Sequence, residues 1–179
     1  MKRVEFLKAK IDRHLYKEQL LKNQEHTKLE KPFLEKARKN FSVASLLFSI
    51  SEKDDLKKQL SLASGFEAYE WVIISSYYSM YTAALSALAK LCFKSKSHAA
   101  TIAVLEYYYV HKGDLESKHL HKLSKAYTLT EDLVTKLIET KDRRERAQYD
   151  ATPAISRENA KTALEDADEF ITKIEEILE

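Results

Sequence analysis

Two short stretches hold the side chains best suited to an anionic ligand. The first is Lys94-Ser95-Lys96-Ser97-His98. Two lysines, two hydroxyls and a histidine stand there before a predicted helix N-terminus. Free backbone N–H groups and the positive end of the helix dipole favour an anion at such a place. Ser97 also suits the N-cap position, so the plain alternative is a solvated turn closed by a serine. The second stretch is Lys141-Asp142-Arg143-Arg144-Glu145-Arg146-Ala147-Gln148-Tyr149-Asp150. It places three arginines next to a tyrosine at a helix end, and the guanidinium fork is the cation best matched to phosphate oxygens. Asp142, Arg146 and Tyr149 share a helix face, whereas Arg144 and Tyr149 do not unless the helix tightens or ends before Tyr149. The alternative here is an exposed, salt-bridged helix with Asp142 and Arg146 as its i,i+4 pair.

Other chemistries lack residues. His98, His111, His119 and His121 fall in one region, but none forms an i,i+4 pair with another and no HExxH-like pattern occurs, so no metal site is expected. Cys92 sits on an apolar helical run and reads as a small core residue rather than a nucleophile. As the single cysteine it can form neither a disulfide framework nor a cysteine zinc site within one chain. No glycine-rich phosphate loop is present. No cofactor is expected, and no catalytic residue can be assigned. The formal net charge of +2 excludes a strongly basic nucleic-acid binder by bulk charge, though not a local basic patch.

The elements that must position these residues are helical. The chain of 179 residues holds only 2 glycines and 2 prolines, too few for the turns a sheet protein needs. The expectation is an all-α, up-and-down bundle of about five to seven helices with no sheet. It is read as one domain over residues 1–179, with 1–30 as an N-terminal helical extension. At the centre lies the run from Glu70 to Phe93, uncharged from Trp71 to Ala89. Tyr69, Ile73, Met80 and Ala84 form one apolar stripe, and Val72, Tyr81, Leu85 and Leu88 a second beside it. The run is long enough to cross a bilayer. Its serines, and tyrosines in mid-run rather than at the ends, point instead to the core of a bundle with no membrane role. Ser76, Ser79, Ala83, Ala84 and Ala87 are small enough for neighbouring helices to approach closely.

Around this centre, a helix is expected from residue 2 to about 22, with Val4, Leu7, Ile11 and Leu15 inward. Pro32 suits the first turn of a second helix reaching about Ile50. Ser51 to Gln59 reads as a loop, followed by one long helix from about Leu60 to Phe93. Ser97 caps a helix from His98 to Val110. Leu115 to Asp150 is helical with a break near Tyr127 to Thr130, where Thr128 and Glu131 have capping-box spacing. Ser156 caps a last helix with Ala160, Leu164, Ala167, Ile171, Ile174 and Leu178 inward. The charged, amphipathic start lacks the apolar core of a signal peptide, so cytoplasmic residence is expected.

The order of several elements resembles the HEPN-domain family. They are Phe33-Leu34-Glu35-Lys36-Ala37, Ser76-Tyr77-Tyr78-Ser79-Met80-Tyr81-Thr82-Ala83-Ala84, Lys96-Ser97-His98, Arg144-Glu145-Arg146-Ala147-Gln148-Tyr149, and Ala160 to Phe170. The resemblance covers about residue 32 to the end. It is strongest to a small prokaryotic group with a Tyr-Tyr-x-Met helix and an Arg-x-x-Ala-Asp-Tyr element. It implies an α-helical bundle, a homodimer, and for many members a minimal nucleotidyltransferase partner in a toxin–antitoxin pair. It also implies a nucleotide or RNA ligand at Arg144, Arg146 and Tyr149, with Lys94, Lys96 and His98 completing an electropositive wall. Ribonuclease members of the family carry an arginine and then, a few residues on, a histidine. Here Tyr149 stands where that histidine is expected, no histidine follows His121, and Gln148 stands where the related group often has aspartate. An unperturbed tyrosine does not exchange a proton near neutral pH. The resemblance therefore implies a binding module. The alternatives are a divergent metal-independent ribonuclease toxin, with Tyr149 or His98 assisting, and a ligand-free helical dimerisation module. Tyr107-Tyr108-Tyr109 is a further candidate for a dimer surface.

Overall fold

A helix that is apolar almost all round must be covered on all sides, and helix α4 (Tyr69–Lys90) is. The computed structural model describes residues 2–144 and 155–179. Along the chain run α1 (Lys2–Tyr16), β1 (Leu20–Lys22), a 3-10 turn (Gln24–Leu29), α2 (Glu30–Glu52), α3 (Asp54–Gln59) and α4. After them come β2 (Phe93–Ser95), α5 (His98–Leu105), a π-helical turn (Glu106–Val110), α6 (Ser117–Arg144) and α7 (Arg157–Leu178). The architecture is the expected all-α bundle, with α2, α5, α6 and α7 packed around α4. By length and composition α4 could cross a membrane, yet 78% of its most apolar window is buried inside the fold.

The small residues of α4 do what their size allows. Ser79 donates its hydroxyl to the Ala37 carbonyl at 2.7 Å, and Ser86 donates to the Glu30 carbonyl at 2.6 Å, so α2 lies close along this face. Each bond satisfies a buried hydroxyl that would otherwise cost stability. On another side α7 contributes Ala167, Phe170, Ile171 and Ile174, all fully buried. Ser156 caps α7 through the Asn159 amide as expected. Charged side chains fasten α7 at its margins. Arg38 of α2 donates to Glu175, and Lys122 of α6 bridges Asp166 at 2.8 Å and Glu169 at 2.5 Å. Lys122 and then Lys118 hold the Glu169 carboxyl down at about 2.

Several expectations are corrected. The first helix stops at Tyr16, six residues short. Glu18 then adopts φ 53°, a left-handed conformation that reverses the chain, and residues 20–22 pair with 93–95 in an antiparallel ribbon. Among the described residues there is thus one small two-stranded sheet where none was expected. Residues 54–59 form α3, not a loop, and the central helix starts at Tyr69, so Gly65 lies before it. Leu85 and Tyr81 are only half-buried, while Val72 and Leu88 are fully buried. Tyr109 is buried, with its hydroxyl on the Ala87 carbonyl at 2.8 Å, so it packs the core instead of forming surface. Helix α6 runs without a break through Tyr127–Thr130.

Candidate functional site

Three helices bring aromatic side chains to one place. Tyr77, Tyr78 and Tyr81 come from the middle of α4, and the i,i+4 spacing stacks Tyr77 and Tyr81 with centroids 5.7 Å apart. His98 comes from the first position of α5. That helix starts where it does because the Ser97 hydroxyl accepts the Ala100 amide at 3.2 Å and so fixes the N-terminus. Tyr127 comes from α6, and its hydroxyl donates to Glu131 one turn on.

The His98 ring lies flat on Tyr127, centroids 4.2 Å apart and planes within 9°. Tyr81 stands on it at 6.1 Å and Tyr77 at 6.3 Å. Tyr77, buried, also meets Tyr78 at 5.2 Å and Tyr127 at 5.8 Å, so it is the hub of the cluster. Tyr78 lies on the exposed side. Such offset and tilted pairs gain energy beyond simple burial.

The electrostatics of the cluster keep it uncharged. Burial pushes the His98 imidazole below its ordinary range, against a weaker opposite pull from Glu131. Among the described residues neither ring nitrogen of His98 has a hydrogen-bond partner. Burial also pushes the Tyr77 phenol up, and the hydrogen bond to Glu131 raises that of Tyr127. Near neutral pH the cluster therefore presents neutral rings, one imidazole N–H and one imidazole lone pair.

The depressed His98 value has a stability consequence. Its folded pKa lies below the ordinary 6.5, so as pH falls through 6.5 the unfolded chain takes up the proton first. The stability tied to a neutral His98 is complete above that value and is lost on acidification. Thermal melts between about pH 7.5 and about pH 5 should show a steeper acid loss in the wild-type chain than in His98→Phe, which keeps the stacked ring but cannot titrate. Equal slopes would show that His98 is not desolvated as the packing implies.

The other expected site residues fall as follows. Lys94 and Lys96 are exposed on and just after β2, four and two residues before His98. Arg144 closes α6, and its side chain lies outside the described residues, as do Arg146 and Tyr149. From Tyr127 to Arg144 α6 rises about 25 Å. Within one chain the ring cluster and the end of α6 are thus two separate places. The sequence reading does not place Tyr127 and Glu131 in a site; their only local signal is i,i+4 spacing, which any continuous helix shows. Among the described residues no group of three or more histidine, cysteine or carboxylate side chains is placed to hold a metal.

A family model for the HEPN domain matches residues 31–177. The comparison with curated proteins gives no match.

Proposed function

The chain belongs to the HEPN-domain family, and from that premise we propose that it is a binding module for a nucleotide or nucleic acid. On this reading it does not cleave RNA. Its Arg144, Arg146 and Tyr149 engage phosphate and base, and it acts as a homodimer beside a minimal nucleotidyltransferase in a toxin–antitoxin type pair. The observation that carries the preference for binding over cleavage is the state of His98. Metal-independent RNA cleavage needs a protonated group to give a proton to the leaving oxygen and a base to take one from the attacking hydroxyl. His98, the first residue of α5, is the only histidine in the family-like elements, and burial holds it neutral, so it is a poor acid at neutral pH. The phenols around it are raised, so they are poor bases. A wall of neutral rings with exposed Lys94 and Lys96 nearby favours stacking and phosphate contact instead. Trp71 and Tyr78, one heptad apart on α4 and 54% and 48% exposed, supply aromatic surface of the kind dimers bury.

The test is calorimetric titration with mononucleotides and a ribonuclease assay on the same preparations. A charge-assisted arginine–phosphate bond is worth about 1.5–3 kcal/mol, so Arg144→Ala should weaken binding by roughly ten- to a hundredfold without lowering the melting temperature. RNA cleavage that Arg144→Ala abolishes would establish the ribonuclease reading in its place. A variant that simply unfolds would make the arginine structural.

A further inference from the structure

The N-terminal layer precedes the family match, and its charges are sorted by face. In α1, Leu7 and Ile11 are buried against the rest of the fold. On one flank Arg3, Phe6, Lys10 and Arg13 follow one another at three- and four-residue intervals, and Lys17 continues them. Although Lys17 lies just past the helix, its amide donates to the Arg13 carbonyl at 3.0 Å, so it keeps the helical turn. No carboxylate shares this flank: Glu5 and Asp12 lie on the opposite one, beside Lys8. Arg3 is bound to Glu106 at 3.1 Å, but among the described residues Lys10, Arg13 and Lys17 have no acidic partner. At the end of α1 the Lys96 amide donates to the Gln19 carbonyl at 2.8 Å, which brings the exposed lysines of β2 to the same end. Two aromatic rings stand out in this layer, Phe6 at 68% exposure and Tyr16 at 89%.

We propose that the cationic flank of α1, continued by Lys94 and Lys96 of the ribbon, is a docking track for the backbone of single-stranded RNA. The track lies outside the ring cluster and the α6 end, and so extends the function beyond that site. Lys10, Arg13 and Lys17, rising about 5 Å apart along the helix, can neutralise successive phosphates, and they need no base contacts to do so. The exposed Phe6 ring within the track can stack on a base only where that base is unpaired, which selects a single strand over a duplex. A membrane surface is the poorer fit, because an interfacial helix needs a free apolar face and that of α1 is already buried in the fold.

The experiment is fluorescence anisotropy with a labelled, mixed-sequence single-stranded RNA and the full chain, over a range of salt concentrations. Lys10→Glu/Arg13→Glu/Lys17→Glu should lose at least about tenfold in affinity at low salt, and its log–log salt slope should flatten by about 2, as three lost contacts on a single strand require. Arg13→Glu should weaken RNA binding clearly more than Lys8→Glu, which makes the same charge change on the opposite flank. Phe6→Ala, at an exposed position on the same flank, should weaken binding several-fold with the salt slope unchanged. Mononucleotide binding should survive in the triple variant, so a failure of the track and a failure of the Arg144 site are read separately. The proposal is overturned if the triple variant binds RNA as the wild type does, or if Lys8→Glu matches Arg13→Glu. It is equally overturned if the wild type ignores RNA at low salt while binding phosphatidylserine vesicles or polyglutamate.

Discussion

Phe170→Ala should lower stability by about 3–5 kcal/mol, among the largest losses available to a single truncation in this chain. Among the described residues Phe170 is the largest side chain with no exposure at all, and it lies on α7 where that helix meets α4. Its neighbours in the same core include Met80, Leu88, Ile171 and Ile174, each held in turn by the others. They cannot collapse into the space the ring leaves without unseating α7 from the charged contacts at its margins. A chain of this size loses about 2–4 °C of melting temperature per kcal/mol, so the expected drop is roughly 6–20 °C by thermal denaturation. Leu164→Ala, on the same helix but half-buried at its edge, is the internal comparison and should cost visibly less. Equal losses would mean that the α4–α7 seam is not the rigid core it is argued to be.

Phe170 also shows where the sequence was legible and where it was not. The 3.6-residue pattern picks out Ala160, Ala167, Ile171 and Ile174 correctly, because burial on one face of a helix leaves a periodic trace. It passes over Phe170 because α7 buries a wider face than one stripe. The ribbon left no trace at all: strands of three residues are too short for the two-residue alternation to be recognised, and the turn that makes them possible rests on Glu18, a residue with no particular liking for a positive φ. Thr128 and Glu131 show the opposite failure. Their spacing fits a capping box, but the same spacing fits a continuous helix, in which Thr128 donates to the Ser124 carbonyl and Glu131 accepts from Tyr127. The site was half legible for a related reason. His98 is marked by the serine that caps its helix, a local signal. Tyr127 is placed under it by the packing of α6 on α4 and α5, and contacts so distant in sequence have no local signature.

Tyr77 is where fold and site meet, and its removal is the second large effect expected. Tyr77→Ala deletes a buried ring that touches Tyr78, Tyr81, His98 and Tyr127 at once. A loss of about 3–5 kcal/mol is the scale for truncating a buried aromatic. Tyr77→Phe keeps all four ring contacts. Among the described residues the Tyr77 hydroxyl makes no hydrogen bond, so this variant should stay within about 0.5 kcal/mol of the wild type. The pair of variants therefore separates the ring from the hydroxyl. A second reading comes from His98. Its imidazole is held below the ordinary range chiefly by burial, and Tyr77 is part of what buries it. In Tyr77→Ala, water reaches the imidazole, and its titration, followed by NMR of the ring protons, should move back up toward 6.5, whereas in Tyr77→Phe it should stay where it was. If the alanine variant is destabilised but His98 titrates unchanged, Tyr127 and Tyr81 shield the imidazole without Tyr77, and the four tyrosines are a core that happens to border the histidine rather than one site.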